Sequence, residues 1–144
     1  MPIPKPHSGE SEADFLKRCM SDDVMVNEYD QEQRTAICRT SYSEHLAGEK
    51  ISFDYDGTFS TQKGFDRAVS LIKDGADVYI ISARDTKDGM LPRANKAGIL
   101  FSRVYATGSN EAKVQKVKDL NISVHYDNNQ DVVNQLPNVG RLFT

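Results

Sequence analysis

Asp54 and Asp56 stand directly after a short apolar run at residues 51–53 and are followed by Gly57 and Thr58. Residues two apart on an extended chain point to the same side, so the two carboxylates can converge on one spot. Gly57 permits a sharp turn immediately afterwards, because it carries no Cβ. Converging carboxylates at a strand end can hold a hard cation such as Mg²⁺, or act as a nucleophile beside an acid/base. The alternative interpretation is a glycine turn flanked by solvated acids.

Length and composition predict a water-soluble protein with one compact domain and an appendage. The chain has 144 residues, 38% of them hydrophobic and 27% charged, and a net charge of −3. This balance excludes a basic nucleic-acid-binding surface by composition, and no apolar run approaches the roughly 20 residues that span a bilayer. The N-terminus lacks the basic-then-apolar pattern of a signal peptide, so we expect a cytoplasmic protein without a membrane partner.

Alternating apolar patterns from residue 50 onward predict an α/β domain. Strands are expected at 51–54, 78–81, 103–106 and 122–126, with a possible edge strand at 141–143, and helices at 61–74, 88–97 and 111–120, with a short one from 131. The run at 78–81 is almost entirely apolar, which is typical of a strand covered on both faces. Short loops between alternating elements predict an open parallel sheet in a Rossmannoid three-layer α/β/α fold. Functional sites in such sheets lie at the carboxyl ends of the strands.

Residues 1–48 predict a small α-helical segment that precedes the sheet. Prolines at positions 2, 4 and 6 indicate an extended arm over residues 1–10, and Ser11 is the expected N-cap of a helix that ends near residue 20. A polar linker is expected at 21–30, and a second helix at 31–46 with Gly48 as its C-cap. A two-helix unit of this size rarely folds without a staple or a partner surface. The predicted division is therefore 1–48, arm and docking segment, and 49–144, α/β domain.

Cys19 and Cys38 are the only cysteines in the chain. In a reducing compartment they are expected to be small core residues rather than a disulfide. A zinc site made with His7 and His45 is the other alternative, but the spacing of these four residues fits no common zinc pattern.

Residues that can do chemistry follow the predicted strands in order: Asp54 and Asp56, Ser82, Lys113 in the first turn of a helix, and Asp127. This set resembles the haloacid dehalogenase-like (HAD) phosphohydrolase superfamily. Its motifs are D-x-D-G-T, a Ser or Thr after the next strand, a Lys, and a strand end written D-D or D-x-x-x-D. Here they read Asp54-Tyr55-Asp56-Gly57-Thr58, Ile80-Ile81-Ser82, Lys113 and Tyr126-Asp127-Asn128-Asn129-Gln130-Asp131. The resemblance covers about residues 50–143 and implies an HAD-like fold.

The resemblance also implies a Mg²⁺-dependent phosphatase that hydrolyses a phosphomonoester through an aspartyl-phosphate. Asp54 would be the nucleophile, and Asp56 would protonate the leaving oxygen and later activate water. Lys113 would offset the negative charge of nucleophile and phosphate. The other implied roles are phosphate or substrate binding by Thr58, Ser82, Ala83 and Arg84, and Mg²⁺ binding by Asp54, the Asp56 carbonyl and Asp127, with Asp131 supporting.

The motif lysine and the metal site leave alternatives open. Lys116 lies one turn beyond Lys113, which we prefer because of its spacing from Leu120. Asn128 stands where many HAD proteins carry a second Asp, which weakens the predicted metal site.

Arg84 and Asp85 follow Ser82 closely and could contact substrate, or form only an exposed ion pair. His125 lies on the last predicted strand before Tyr126. We expect it to pack or to support the site rather than to bind metal.

No stretch is long enough for the cap that HAD proteins usually insert over their site. Core elements fill the segments between Thr58 and Ser82 and between Ser82 and Lys113. An open site suggests a macromolecular substrate, a covering partner, or a lid made by residues 1–48. The expected substrate is either a phosphorylated small molecule or the phosphorylated end of a nucleic acid or protein.

Residues 12–38 resemble a short segment of head-assembly proteins of tailed bacteriophages. The likeness lies in 12–20, in Tyr29-Asp30 and in 33–38. It implies a phage-encoded protein, in the host cytoplasm or the virion, with a docking module for a phage head or other protein. The alternative function is a catalytically idle HAD-fold structural or assembly protein of a tailed-phage virion.

Overall fold

Five parallel strands form one sheet in the computed structural model of this protein, which describes residues 3–7, 10–46 and 49–144. The strands are β1 (Lys50–Phe53), β2 (Asp77–Ser82), β3 (Val104–Ala106), β4 (Val124–Asp127) and β5 (Gly140–Leu142), in the order β3-β2-β1-β4-β5. The prediction of an α/β fold with an open parallel sheet is confirmed. The possible edge strand is β5, which pairs in parallel with β4.

Seven α-helices surround the sheet or precede it in the described residues. They are α1 (Glu12–Met20), α2 (Asp23–Glu28), α3 (Gln31–Leu46), α4 (Gln62–Lys73), α5 (Leu91–Ala97), α6 (Asn110–Asp119) and α7 (Gln130–Asn134). Hydroxyl side chains cap three of them: Ser11 accepts from the Asp14 amide, Thr61 from the Gly64 amide and Ser109 from the Ala112 amide. The predicted Gly48 cap lies outside the described residues.

Buried apolar residues form one layer on each side of the sheet. The layer under α6 and α7 contains Ile81, Val114, Val117, Ile122, Val132 and Leu136. The opposite layer, under α4 and α5, includes Phe53, Leu71 and Ile80, and it continues into the N-terminal helices through Phe15 and Tyr42. These two rings stack with centroids 6.0 Å apart.

The predicted polar linker at 21–30 is wrong, because a third N-terminal helix, α2, occupies most of it. The Asp22 carboxylate accepts from the amides of Val24 and Met25, which fixes the first turn of this helix. Met25 is fully buried and supplies the apolar anchor. The Asp22 cap and the buried Met25 thus stabilise a helix in a segment whose composition is mostly polar.

Cys19 and Cys38 form a disulfide between α1 and α3, which corrects the prediction of two free core thiols. Both side chains are fully buried where these helices pack together, with Cα atoms 6.0 Å apart, a separation that a disulfide spans without moving the backbone. The prediction of free thiols was based on a reducing compartment and not on the distance between the two cysteines. The bond also rules out a zinc site with both thiols and supplies the staple that so small a unit needs.

Residues of the arm are held against this helical unit. Ser41 donates a hydrogen bond to the Pro4 carbonyl, and Tyr42 donates one to the Glu10 carbonyl. Arg18 pairs with Glu10 at 3.0 Å. In the part of the chain that the structure describes, no helix is long and apolar enough to cross a membrane.

Candidate active site

The topology brings the ends of β1 and β4 together at the point where the chain changes direction in the sheet. After β1 the chain adds β2 and β3 on one side, then returns to place β4 on the other side of β1. Phe53 of β1 pairs with Tyr126 of β4, so Asp54 and Asp127 leave neighbouring strands at the same level. Such a switch point is where open parallel sheets bind their ligands.

A tight turn follows Asp54 and requires glycine for two reasons. Asp56 (φ −70°, ψ 121°) and Gly57 (φ 76°, ψ 0°) have the angles of the central residues of a type II turn. The positive φ favours glycine, and a Cβ at this position would lie only 2.2 Å from Nδ2 of Asn128. Gly57 therefore allows the loop after β4 to approach the turn after β1.

Lys113 joins the two strand ends electrostatically. Its Nζ lies 3.0 Å from Oδ1 of Asp54 and 2.9 Å from Oδ2 of Asp127. All three residues are buried, with 2% of Lys113, 6% of Asp54 and none of Asp127 exposed. Lys116, the alternative motif lysine, instead lies over the Tyr105 ring, 5.1 Å from its centroid.

The two carboxylates have different electrostatic surroundings. Burial, together with the negative charge of Asp127, raises the pKa of Asp54 despite the nearby Lys113. Burial also acts to raise the pKa of Asp127, but hydrogen bonds from His125, Lys113 and the Asn129 amide outweigh it, and the pKa is lowered. Asp127 is thus a fixed negative charge, whereas the charge on Asp54 is costly until a cation or a reaction relieves it.

Asp127 is held from behind by a buried chain of polar groups. Its Oδ2 lies 3.0 Å from Nε2 of His125, and Nδ1 of His125 lies 2.7 Å from Oγ of Ser52. Its Oδ1 accepts from the Asn129 amide at 2.9 Å. His125 therefore supports the site, in the way that the sequence predicts.

Asp56 points to solvent and is paired with Arg84. The guanidinium donates to both carboxylate oxygens, and 60% of the Asp56 side chain is exposed. The hydrogen bond from Arg84 lowers the pKa of Asp56. Arg84 also lies over the Tyr55 ring, 4.7 Å from the centroid. The exposed ion pair was one of the two alternatives for Arg84, and it involves the expected acid/base rather than Asp85.

The remaining predicted site residues divide into those that reach the cleft and those that do not. Ser82 and Ala83 line it, and Oγ of Ser82 accepts from the amide of Arg84 at 3.1 Å. Thr58 is fully buried, and its Oγ1 has no hydrogen-bond partner among the described residues. Asp131 is exposed at the start of α7 and forms no ion pair with Lys113, whose partners are Asp54 and Asp127.

Oxygen atoms next to the turn fit a hard divalent cation. One terminal atom of the Asn128 amide lies 3.2 Å from Oδ2 of Asp54 and 3.1 Å from the carbonyl oxygen of Asp56. Hydrogen bonding assigns this atom as nitrogen, which donates to both oxygens; if the amide turns over to face a cation, its oxygen completes a set of three. Spacings of about 3 Å separate neighbouring oxygens around an octahedral Mg²⁺ whose ligands lie at about 2.1 Å.

Asp127 can complete this donor set through one oxygen only. Its Oδ2 already accepts from Lys113 and His125, whereas Oδ1 accepts only from the Asn129 amide. A carboxylate oxygen has about two acceptor positions, so Oδ1 retains one. In the described ranges, no three or more His, Cys, Asp or Glu side chains are grouped to hold a metal. The fit therefore depends on a backbone carbonyl and an amide as well as on carboxylates.

The cleft is open, as the absence of a cap insertion predicts. Its lining comes from the loops after β1, β2 and β4 and from the start of α6, and includes Asn110 and Gln130 besides the residues above. None of the lining residues belongs to the described N-terminal residues, 3–7 and 10–46, so this segment does not act as a lid in this conformation.

Sequence reasoning missed Ser52 and undervalued Asn128. The signal for Ser52 is a hydroxyl inside an apolar strand, two residues before Asp54 and therefore on the same face. Asn128 reads as a weakened second acid, but its amide lies against the backbone of the turn, which only the close approach at Gly57 reveals.

No family model, curated protein or solved structure matches this chain in comparisons with known proteins.

Proposed function

We propose that this protein is an HAD-like, Mg²⁺-dependent phosphatase that hydrolyses a phosphomonoester through an aspartyl-phosphate on Asp54. The observation that carries the proposal is the position of Lys113 between Asp54 and Asp127 at the switch point of the sheet. A buried ammonium beside a carboxylate nucleophile offsets the charge that an incoming phosphate adds. A structural ion pair needs no second carboxylate, open cleft or glycine turn beside it.

The first half-reaction transfers the phosphoryl group to the protein. A carboxylate oxygen of Asp54 attacks phosphorus, the new O–P bond forms, and the bond to the leaving oxygen breaks. Asp56 supplies a proton to that oxygen and becomes a carboxylate. In the structure, Arg84 donates to both oxygens of Asp56 and favours its deprotonated form, so the guanidinium must leave this carboxylate before the proton transfer. An incoming phosphate dianion can bind the guanidinium in its place.

The second half-reaction regenerates Asp54. Asp56, now ionised, takes a proton from water as the water oxygen attacks phosphorus, and the bond between Asp54 and phosphorus breaks to release inorganic phosphate. Asp54, the Asp56 carbonyl, Asn128 and Asp127 would hold Mg²⁺, which when bound shields the negative charges of nucleophile and phosphate from each other. Ser82 lines the cleft and would donate its hydroxyl to a phosphate oxygen.

The open cleft favours a phosphorylated end that projects from a larger molecule, although a small phosphate ester also fits. Polar groups dominate the lining, and the apolar contacts that would enclose a small substrate are few. The proposed setting is the cytoplasm, or the host cytoplasm or the virion if the protein is phage-encoded. The Cys19–Cys38 disulfide favours the virion, because a reducing cytoplasm keeps thiols reduced.

Phosphate release from an aryl phosphate, with and without Mg²⁺, tests the proposal. Wild-type protein should release phosphate only with Mg²⁺, and Asp54→Asn should lower the rate by about 10³-fold or more. Asp66→Asn, an exposed carboxylate on α4 that pairs with Gln62, is the matched control and should keep the wild-type rate. Wild-type protein that releases no phosphate at any Mg²⁺ concentration would contradict the proposal.

A catalytically idle assembly protein of a phage virion is the second candidate. The observation that favours it is the exposed Asp56 carboxylate, whose pKa Arg84 lowers, since a general acid needs its proton. The disulfide-bonded helical unit would then serve as the docking module for a phage head protein. Turnover in the aryl phosphate assay that disappears in Asp54→Asn would exclude this candidate.

A further inference from the structure

Ser52 and His125 are polar side chains inside an apolar layer of the core. They are register partners on β1 and β4, and both are fully buried. Because side chains alternate along a strand, Ser52 lies on the same face as Asp54, and His125 on the same face as Asp127. That face is the one covered by α6 and α7.

Hydrogen bonds link this pair to the candidate site. A carboxylate oxygen only accepts, so Nε2 of His125 must carry the hydrogen that it shares with Oδ2 of Asp127. On the other side of the ring, Nδ1 lies 2.7 Å from Oγ of Ser52, whose only hydrogen-bond partner in the described chain is this histidine. Ser52 thus fixes the ring, and the ring fixes one oxygen of Asp127.

Packing alone does not account for these residue types. An apolar pair of similar volume would fill the layer beside Ile81 and Val114 without removing a hydroxyl and an imidazole from water. Burial of the hydroxyl and the imidazole is tolerated because each is hydrogen-bonded, and the last acceptor in the series is Asp127.

We propose that Ser52 and His125 are positioning residues for phosphoryl transfer, which hold Oδ2 of Asp127 where Lys113 is shared between Asp127 and Asp54. The proposal rests on the phosphatase function. Oδ2 accepts from His125 and from Lys113, at 3.0 and 2.9 Å. Without the histidine, only Lys113 holds Oδ2 of Asp127, so the carboxylate can turn about its remaining hydrogen bond to the Asn129 amide and draw the ammonium away from Asp54. The nucleophile loses its counter-charge although every group that touches substrate is still present.

The first test is a set of kinetic constants. His125→Leu and Ser52→Ala should lower kcat, His125→Leu by about 10- to 100-fold, with KM within about twofold of wild type. His125→Gln should recover much of kcat, because its amide can donate from the position of Nε2. Val124→Ala is the matched control: it removes buried apolar volume from the same strand, next to His125 but on the opposite face, and should leave kcat unchanged.

A second test does not require activity. Titration calorimetry with Mg²⁺ alone should show a dissociation constant about 10- to 100-fold weaker in His125→Leu than in Val124→Ala. Nuclear magnetic resonance of protein with ¹⁵N-labelled histidine should show a protonated Nε2 on His125. In Ser52→Ala the Nδ1 resonance should shift.

These measurements separate failure of the inference from failure of the phosphatase proposal. If His125→Leu and Val124→Ala have equal kcat and equal Mg²⁺ affinity, the positioning role is wrong while the phosphatase stands. If wild-type protein is inactive but binds Mg²⁺, and binding weakens in His125→Leu, the phosphatase is wrong and the positioning of Asp127 stands. If His125→Leu does not fold, Ser52→Ala decides, and a wild-type kcat in that variant overturns the proposal.

Discussion

Arg84 and Asp56 form a two-point ion pair at the mouth of the site, with Nε 2.9 Å from Oδ2 and Nη2 2.7 Å from Oδ1. In the proposed mechanism Asp56 needs a proton, and Arg84 favours its loss. The pair therefore keeps the acid in its inactive charge state until a phosphate group attracts the guanidinium. A lysine in place of Arg84 could not make both hydrogen bonds at once.

Replacing Arg84 should change both the pH dependence and the substrate affinity. In Arg84→Ala the pKa of Asp56 rises towards its ordinary value, because its main hydrogen-bond donor is gone. The limb of the kcat profile that requires protonated Asp56 should then move to higher pH. KM should rise about tenfold, since a charged hydrogen bond to phosphate contributes about 1.5 kcal/mol or more.

Arg103→Ala is the control for this change. Arg103 also pairs with an aspartate, Asp77, at 3.2 Å and lies over a tyrosine ring, Tyr79, but its partner Asp77 does not line the cleft, whereas Asp56 does. Identical pH profiles for the two variants would show that the Arg84 ion pair has no part in catalysis.

Asp54→Asn should stabilise the protein at neutral pH. Burial raises the pKa of Asp54 in the folded state, so on raising the pH the unfolded chain ionises first. The free energy of unfolding therefore falls between the ordinary pKa of an aspartate and the raised one, and asparagine avoids this loss. Melting temperatures of both proteins measured from acid to neutral pH should diverge as the pH rises. An equal or lower melting temperature for the variant at pH 7 would contradict the assigned environment of Asp54.

The predicted strand ends place Asp54, Asp127 and the start of the helix with Lys113 at one edge of a parallel sheet, and the resemblance to HAD proteins groups them into one site. The strand order that makes β1 and β4 neighbours is known only from the structure. The contact between Ser52 and His125 depends on the register of β1 against β4, which the sequence does not give, although the hydroxyl inside an apolar strand marks Ser52 as unusual. The Arg84–Asp56 pair depends on side-chain conformations across two loops. Neither periodicity nor motif spacing predicts such a contact.

Mg²⁺ should stabilise the folded protein, and Asn128 should control how strongly. Two buried carboxylates share a single ammonium, so a divalent cation relieves their repulsion. At a concentration 100 times the dissociation constant, binding adds about 2.7 kcal/mol to the free energy of unfolding. Asn128→Asp should enlarge the increase in melting temperature and Asp127→Ala should reduce it. If millimolar Mg²⁺ changes the melting temperature of neither the wild type nor Asn128→Asp, the metal site is wrong.

Reduction of the Cys19–Cys38 disulfide should destabilise the N-terminal helical unit. The bond closes a loop between residues 19 apart, which the chain-entropy relation values at about 3 kcal/mol. Thermal unfolding of wild type with and without dithiothreitol should show this loss. The double variant Cys19→Ser, Cys38→Ser lacks the bond. Its melting temperature should be lower than that of the oxidised wild type and should not change when dithiothreitol is added. Reductant that leaves the wild-type transition in place would mean that the bond adds no stability.

A chain that begins at Glu49 tests the division between the N-terminal segment and the α/β domain. It retains every strand and every cleft residue, so we predict that it folds and keeps activity on a small phosphate ester. It also uncovers the apolar surface that Phe15 and Tyr42 now share with Ile51 and Leu71, so it should bind apolar dyes more strongly than the full chain. Loss of the folded circular dichroism spectrum would show that the helices belong to one inseparable core.

The phosphorylated state of Asp54 is the central claim, and borohydride trapping measures it most directly. Wild-type protein mixed with excess phosphate ester and Mg²⁺ is quenched with sodium borohydride, which reduces an acyl phosphate to an alcohol, and its peptides are analysed by mass spectrometry. The proposed mechanism predicts homoserine at position 54 only when substrate and Mg²⁺ are both present, and none in Asp54→Asn. Steady release of phosphate with an unmodified Asp54 at every quench time, or homoserine at another aspartate, would contradict it.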